Sequence, residues 1–346
     1  MRVVALDIIR FVAALSVVLY HYVSRPESDA YPLLSEVTKF GYLGVPLFFM
    51  ISGYVIALSA NNRSAIQFGI SRFVRLYPAL WVGVIFTVVI TSWLGDRSYT
   101  LPQILANFTL VNEYMGFADV DGVYWTLKTE LKFYACVFLL LLFGVFQKYH
   151  IWLSVWLALT VMHAISGQPF FMGWFITPTY SSFFIAGVAF FLIQKEGVSR
   201  FIYVVLMLSL LVSSYRGFYQ AEGFMKTSAI DQRLISVAVI WCFHILLYLL
   251  CTGRLRVKER KLYFILGAIS YPLYLIHNMA GKAIIDEYSQ VIPERMLIIL
   301  VIALMVLASW LIHLGVEKPL ANPMKKHLLS VFDKGGKISN ALGRNK

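Results

Sequence analysis

The sequence predicts an all-α polytopic membrane protein of about ten transmembrane helices, with both termini in the cytoplasm. Three observations predict it. Hydrophobic residues make up 59% of the 346 and charged ones only 14%, against roughly 45–50% and 25% in soluble domains. The mean hydropathy is +0.73. Apolar runs near the length that crosses a hydrocarbon core of about 30 Å recur from one end of the chain to the other.

The first run, near 5–23, is followed by no small-residue cleavage site, so it reads as a retained span. The second, near 41–60, carries Gly41, Gly44 and Gly53, residues that let neighbouring helices approach closely. The third falls near 76–94. The next segment, "LPQILANFTLVNEYMGFA" at 101–118, is amphipathic and is assigned to the membrane interface. Further runs fall near 125–146, 150–166, 177–194, 200–215, 234–252, 262–281 and 296–316. No internal repeat, soluble domain or long linker interrupts them. The expected organisation is one membrane unit over 1–321 and a basic, flexible cytoplasmic tail over 322–346.

Even parity puts both termini on one side, and basic residues say which. The loops on that side and the tail hold eighteen Lys and Arg, including Arg63, Arg72, Arg75, the cluster Arg254 to Lys261, and seven from Lys318 to Lys346. The opposite loops hold eight: Arg25, Lys39, Arg97, Arg216, Lys226, Arg233, Lys282 and Arg295. The excess belongs in the cytoplasm. The net charge of +12 reads as anchoring to anionic lipid, since no basic cluster interleaved with aromatics indicates nucleic acid. Cys136, Cys242 and Cys251 lie inside apolar runs without metal-ligand spacing, so neither a metal site nor a disulfide framework is expected.

Within the first helix, "LDIIRFVAALSVVLYHY", Arg10 and His21 are eleven residues apart. That is roughly 16 Å of rise, and the two fall within about 20° of one line. A cation inside the bilayer costs roughly 2.5–3.5 kcal/mol on insertion scales, so it faces a cavity or a partner; snorkelling or pairing with Asp7 is the structural alternative. The predicted topology puts Arg10, Arg72 and Arg75 on the cytoplasmic side, with Glu317 at that end of the last helix. His21, Glu130 and His277 fall in the outer half.

These residues sit in six ordered blocks that together resemble the acyltransferase 3 family of membrane proteins. The blocks are the first helix, "GYLGVPLFFMISGYVIA", "SRFVRLYPALW", "YWTLKTELKFY", "SYPLYLIHN" and "VEKPL". Departures are local. Ile8 and Phe11 stand where the family often has glycine, Thr126 replaces its usual serine, and Lys128 and Lys132 flank the glutamate. The resemblance implies a ten-helix O-acyltransferase of the bacterial inner membrane, using acetyl-CoA as donor, a polysaccharide, oligosaccharide or lipid-linked glycan as acceptor, and no metal.

Such chemistry needs a held thioester, a base for the hydroxyl proton and stabilisation of an oxyanion. Arg72 and Arg75, three apart, can share a helix face and grip the CoA phosphates with bidentate guanidinium contacts. Arg10 would lie deeper along the pantetheine arm. Positive-inside anchoring is the alternative for the loop arginines. His21 is the expected base, with direct transfer and an acyl-histidine both open. Glu130 would orient His21 or position the acceptor. His277 would bind acceptor or donate to the oxyanion, and Glu317 would brace the arginines. A transporter or flippase is the rival reading, because charged residues inside helices also line substrate pathways.

Overall fold

The computed structural model describes residues 5–25, 30–95, 97–169, 171–225 and 229–343, with side chains described to residue 332 apart from position 174. Lys226 and the tail residues Arg344 and Lys346 lie outside the described residues. Among the described residues 81% are helical and none is in a strand.

The helices in order are α1 (Ala5–Val23), α2 (Pro32–Thr38), α3 (Gly44–Ala60), α4 (Ala65–Trp93), α5 (Leu101–Asn107), α6 (Tyr124–Leu142), α7 (Tyr149–Ser166), α8 (Met172–Phe175), α9 (Pro178–Glu196), α10 (Arg200–Met225), α11 (Ile230–Cys251), α12 (Lys261–Ile276), α13 (Asn278–Tyr288), α14 (Glu294–Ile312) and α15 (Lys318–Gly343). A π turn, His313–Glu317, joins the last two. Among the described residues seven stretches are long and apolar enough to cross a membrane, and α12 with α13 makes an eighth if that pair, bent by 65°, is one broken span.

Burial sorts the helices. From Tyr180 to Ile193 every residue of α9 is buried, as expected of a helix that is apolar all round and sits at the centre of a bundle. It packs against α3, where the backbones nearly touch. A Cβ on Gly53 would stand 2.2 Å from the Phe184 carbonyl oxygen, and one on Gly187 would stand 2.0 Å from that of Met50. Gly41 and Gly44 face Ser16 and Ala13 of α1 in the same way, at 2.1 and 2.5 Å. Gly187→Ala therefore forces main chain against main chain. A cost of about 1–3 kcal/mol should appear as a lower melting temperature in detergent, and an unchanged melt would mean the helices separate freely. By contrast, α10 and α14 turn Val204, Met207, Leu211, Ile299 and Leu307 outward, each more than half exposed except Leu307 at 50%. Apolar surface on that scale belongs against lipid.

Three boundaries differ from the sequence expectation: the run at 200–215 extends as α10 to Met225, and two others shift for reasons the polar groups show. The third apolar run was expected to begin at 76, whereas α4 starts at Ala65 because Ser64 and Gln67 form a capping box: the Gln67 N–H donates to Ser64 Oγ at 3.2 Å and the Ser64 N–H to Gln67 Oε1 at 3.3 Å. This places Arg72 and Arg75 on the helix itself. The run at 262–281 is broken at His277, where Asp121 draws off the Met279 N–H at 2.9 Å. The 101–118 segment forms the short α5 and a 3-10 turn, held to α4 by Tyr77 and Trp81, which donate to the carbonyls of Thr109 and Phe108.

Candidate active site

Three arginines from two helices converge on one cavity. Arg10 comes from α1, and Arg72 and Arg75 from α4; all three line one cavity of about 210 Å³. Glu130 of α6 lines it too and accepts a hydrogen bond from Ser52 Oγ at 2.6 Å. Aromatic rings hold the guanidinium groups in place. Arg72 lies 5.9 Å from the ring centres of both Phe68 and Tyr134, and Arg75 lies 5.4 Å from that of Tyr271. Arg75 also donates to Glu317 Oε1 at 3.1 Å. The other oxygen of Glu317 is 2.8 Å from His313 Nδ1. Glu317 is nearly buried, so its two partners offset the cost of hiding a carboxylate.

A second cluster forms where α1 ends and α12 breaks. The His21 and His277 rings are 5.3 Å apart. Lys282 of α13 places Nζ 3.3 Å from His21 Nδ1. An ammonium only donates, so Nδ1 of a neutral His21 is the acceptor and Nε2 carries the proton. His277 has the opposite tautomer. Its Nδ1 lies 2.9 Å from the Tyr274 carbonyl oxygen and 3.2 Å from that of Leu273, so Nδ1 carries the hydrogen and Nε2 keeps a lone pair. That Nε2 is buried without a hydrogen-bond partner. Polar groups from three elements fix the break. The Tyr22 hydroxyl donates to the His277 carbonyl, and Asp121 accepts from Asn278 Nδ2 at 2.7 Å, from the Met279 N–H and from the Val123 N–H at 3.1 Å.

Asp121 lies in the loop ahead of α6, where burial pushes its carboxyl up to about 6 from 3.8. The folded protein therefore holds this proton in a window where the unfolded chain has lost it, and stability from Asp121 falls as pH rises from about 4 to about 6. Asp121→Asn should remove that slope and lower the melting temperature at pH 4 and pH 7 by different amounts. Parallel melting curves for the two proteins against pH would contradict this.

The two clusters are neighbours through one residue. Tyr274 lines the arginine cavity, and its ring centre stands 5.5 Å from that of His277. His21 and His277 themselves do not line the cavity. The structure brings Glu130 to the arginines and not to His21, whose polar and ring neighbours are Lys282, His277 and Tyr20. Lys128 and Lys132 turn elsewhere, to Asp119 and to the Gly173 carbonyl. Sequence reasoning missed Lys282, Asp121, Tyr22 and His313. Only His313 left a local signal, its four-residue spacing to Glu317. Among the described residues no group of three His, Cys, Asp or Glu side chains could hold a metal ion.

Residues 3–314 match the model of an acyltransferase domain. Acyltransferase MdmB of Streptomyces mycarofaciens is 24% identical over 92% of this chain and 91% of its own length. The O-acetyl transferase of Shigella phage Sf6 is 32% identical over 37% of this chain and 43% of its own. Nodulation protein 10 of Rhizobium leguminosarum bv. viciae is 30% identical over 28% and 32%. No solved structure matches the chain at comparable significance. Arginines gathered on one cavity beside a histidine pair, in a bundle that the domain match covers almost end to end, make this chain a member of the acyltransferase 3 family of multi-pass membrane proteins.

Proposed function

We propose that this enzyme transfers an acetyl or other acyl group from acetyl-CoA to a hydroxyl of a polysaccharide, oligosaccharide or lipid-linked glycan at the bacterial inner membrane. The observation that carries the reading is that Tyr274 both lines the arginine cavity and stands against the His277 ring, so a single side chain separates the two clusters. The name of the phage relative, an O-acetyl transferase, supports an oxygen acceptor. In this reading α6 and α9 also cross the membrane, giving ten spans with both termini cytoplasmic. Residues 1–321 form the membrane unit, and the basic segment 322–346 lies on the cytoplasmic side.

The arginine end then faces the cytosol and receives the donor. Arg72 and Arg75 hold phosphate oxygens, Arg10 lies along the arm, and Glu317 braces Arg75. At the other end the acceptor hydroxyl gives its proton to His21 Nδ1, the lone pair that now meets the Lys282 ammonium. The alcohol oxygen bonds to the thioester carbon, the C–S bond breaks, and His21 returns the proton to the departing thiolate. The Lys282 ammonium is the donor nearest the oxyanion that forms in between. A neutral His277 has already committed its hydrogen to carbonyls, so it binds an acceptor hydroxyl through Nε2 and leaves oxyanion donation to Lys282. Glu130 positions the acyl end through Ser52.

The test is purified protein in lipid vesicles with labelled acetyl-CoA and candidate glycans. Label should move to glycan in wild-type vesicles and stay on the donor in those carrying His21→Ala. Glycan crossing the bilayer with no donor consumed would replace the enzyme with a transporter.

A further inference from the structure

Beside the arginine cavity runs a second, open groove of about 470 Å³, formed between α4, Arg63 of the turn before it, the π turn and α15. Arg72 and Arg75 line both spaces and stand at their junction. The groove adds three cations that the transfer chemistry leaves unused: Arg63, Lys318 and Lys325. The two lysines are seven residues apart, which places them on one face of α15. Among the described residues of the lining the one acidic side chain is Glu317, already held by Arg75 and His313.

The π turn sets this arrangement. One wide turn at His313–Glu317 carries both side chains toward Arg75 and starts α15 against α4, and wide turns of this kind concentrate at functional sites. Size separates the two spaces. Ligand clefts run roughly 300–1,000 Å³, so the groove suits a nucleotide-sized group, whereas the cavity of about 210 Å³ suits a thin chain.

Building on the function proposed above, we propose that α15 supplies one wall of a phosphate cleft. Lys318, Lys325 and Arg63 bind the 3′-phosphate of the donor nucleotide, Arg72 and Arg75 at the junction hold its diphosphate, and the arm passes on between them into the cavity. Phosphate chemistry would equally serve an anionic lipid headgroup. The groove's opening onto an arginine-gated cavity favours the nucleotide.

Equilibrium binding decides it without requiring turnover. The full chain in phosphatidylcholine vesicles is titrated with CoA, with 3′-phosphoadenosine 5′-diphosphate and with pantetheine, as wild type and as the double variant Lys318→Gln, Lys325→Gln. Both lysines are exposed, and matching melting curves show that the variant is folded. The variant should bind CoA and the nucleotide roughly tenfold more weakly and pantetheine as the wild type does. Equal CoA affinity in both proteins overturns the cleft, as does an equal loss for pantetheine. A second series in vesicles containing phosphatidylglycerol separates the sources. If the variant loses only its attachment to anionic lipid and keeps nucleotide affinity, the lysines serve the headgroup and the proposal fails. A wild type that binds CoA but moves no acyl group would sink the proposed reaction and leave the cleft standing.

Discussion

His21→Ala is expected to lower kcat at least ~100-fold, because a positioned general base contributes roughly 10²–10⁴. The ring meets three conditions for that role: a lone pair on a known nitrogen, a neighbouring cation, and a place beside a second imidazole. Alanine removes the lone pair and leaves Lys282 without that contact. Donor affinity should hardly change, since the arginines lie in a separate cavity. Measured turnover with measured CoA binding therefore separates a lost base from a lost fold. Normal turnover in this variant would move the chemistry elsewhere, to Glu130 first.

Arg72→Ala with Arg75→Ala should act on the other half of the reaction. Charge-assisted hydrogen bonds are worth about 1.5–3 kcal/mol each, so losing two should weaken donor binding roughly 100-fold or more while kcat at saturation falls less. Arg75 complicates the double variant because its removal leaves Glu317, nearly buried, with His313 alone. Adding Glu317→Gln removes the stranded carboxylate. If melting temperature recovers and donor affinity does not, the arginines bind ligand. An unchanged CoA titration in the original pair would return them to anchoring the loop in anionic lipid.

The helices were legible because lipid demands long apolar runs, and those runs are visible without an alignment. Legibility ended where polar chemistry set the geometry. The α4 start could be read from Ser64 and Gln67, a pair three residues apart, yet the apolar run alone pointed to 76. The break at His277 could not be read locally, because the group that draws off the Met279 N–H is Asp121, more than 150 positions earlier. Site residues divide in the same way. Arg10, Arg72 and Arg75 stood out as cations in or beside apolar sequence and meet in one cavity. Glu130 reads from the sequence as orienting His21 or positioning the acceptor; in the fold Ser52 donates to it and it shares the cavity with Arg10. Lys282 looked like a loop residue until the bend turned it back onto His21.

That bend also settles how far the chain travels. A straight rod from Lys261 to Tyr288 would measure ~42 Å at 1.5 Å per residue, well past the ~30 Å that lipid tails occupy. Turned by 65°, the last eleven residues, ~16 Å of rod, advance only ~7 Å along the axis of α12. They run across the axis of α12 like an eave, carrying Lys282, Asp286 and Glu287 sideways instead of onward along it. The same short rod carries Lys282 onto His21, so the bend that shortens the span also delivers a cation to the histidine pair.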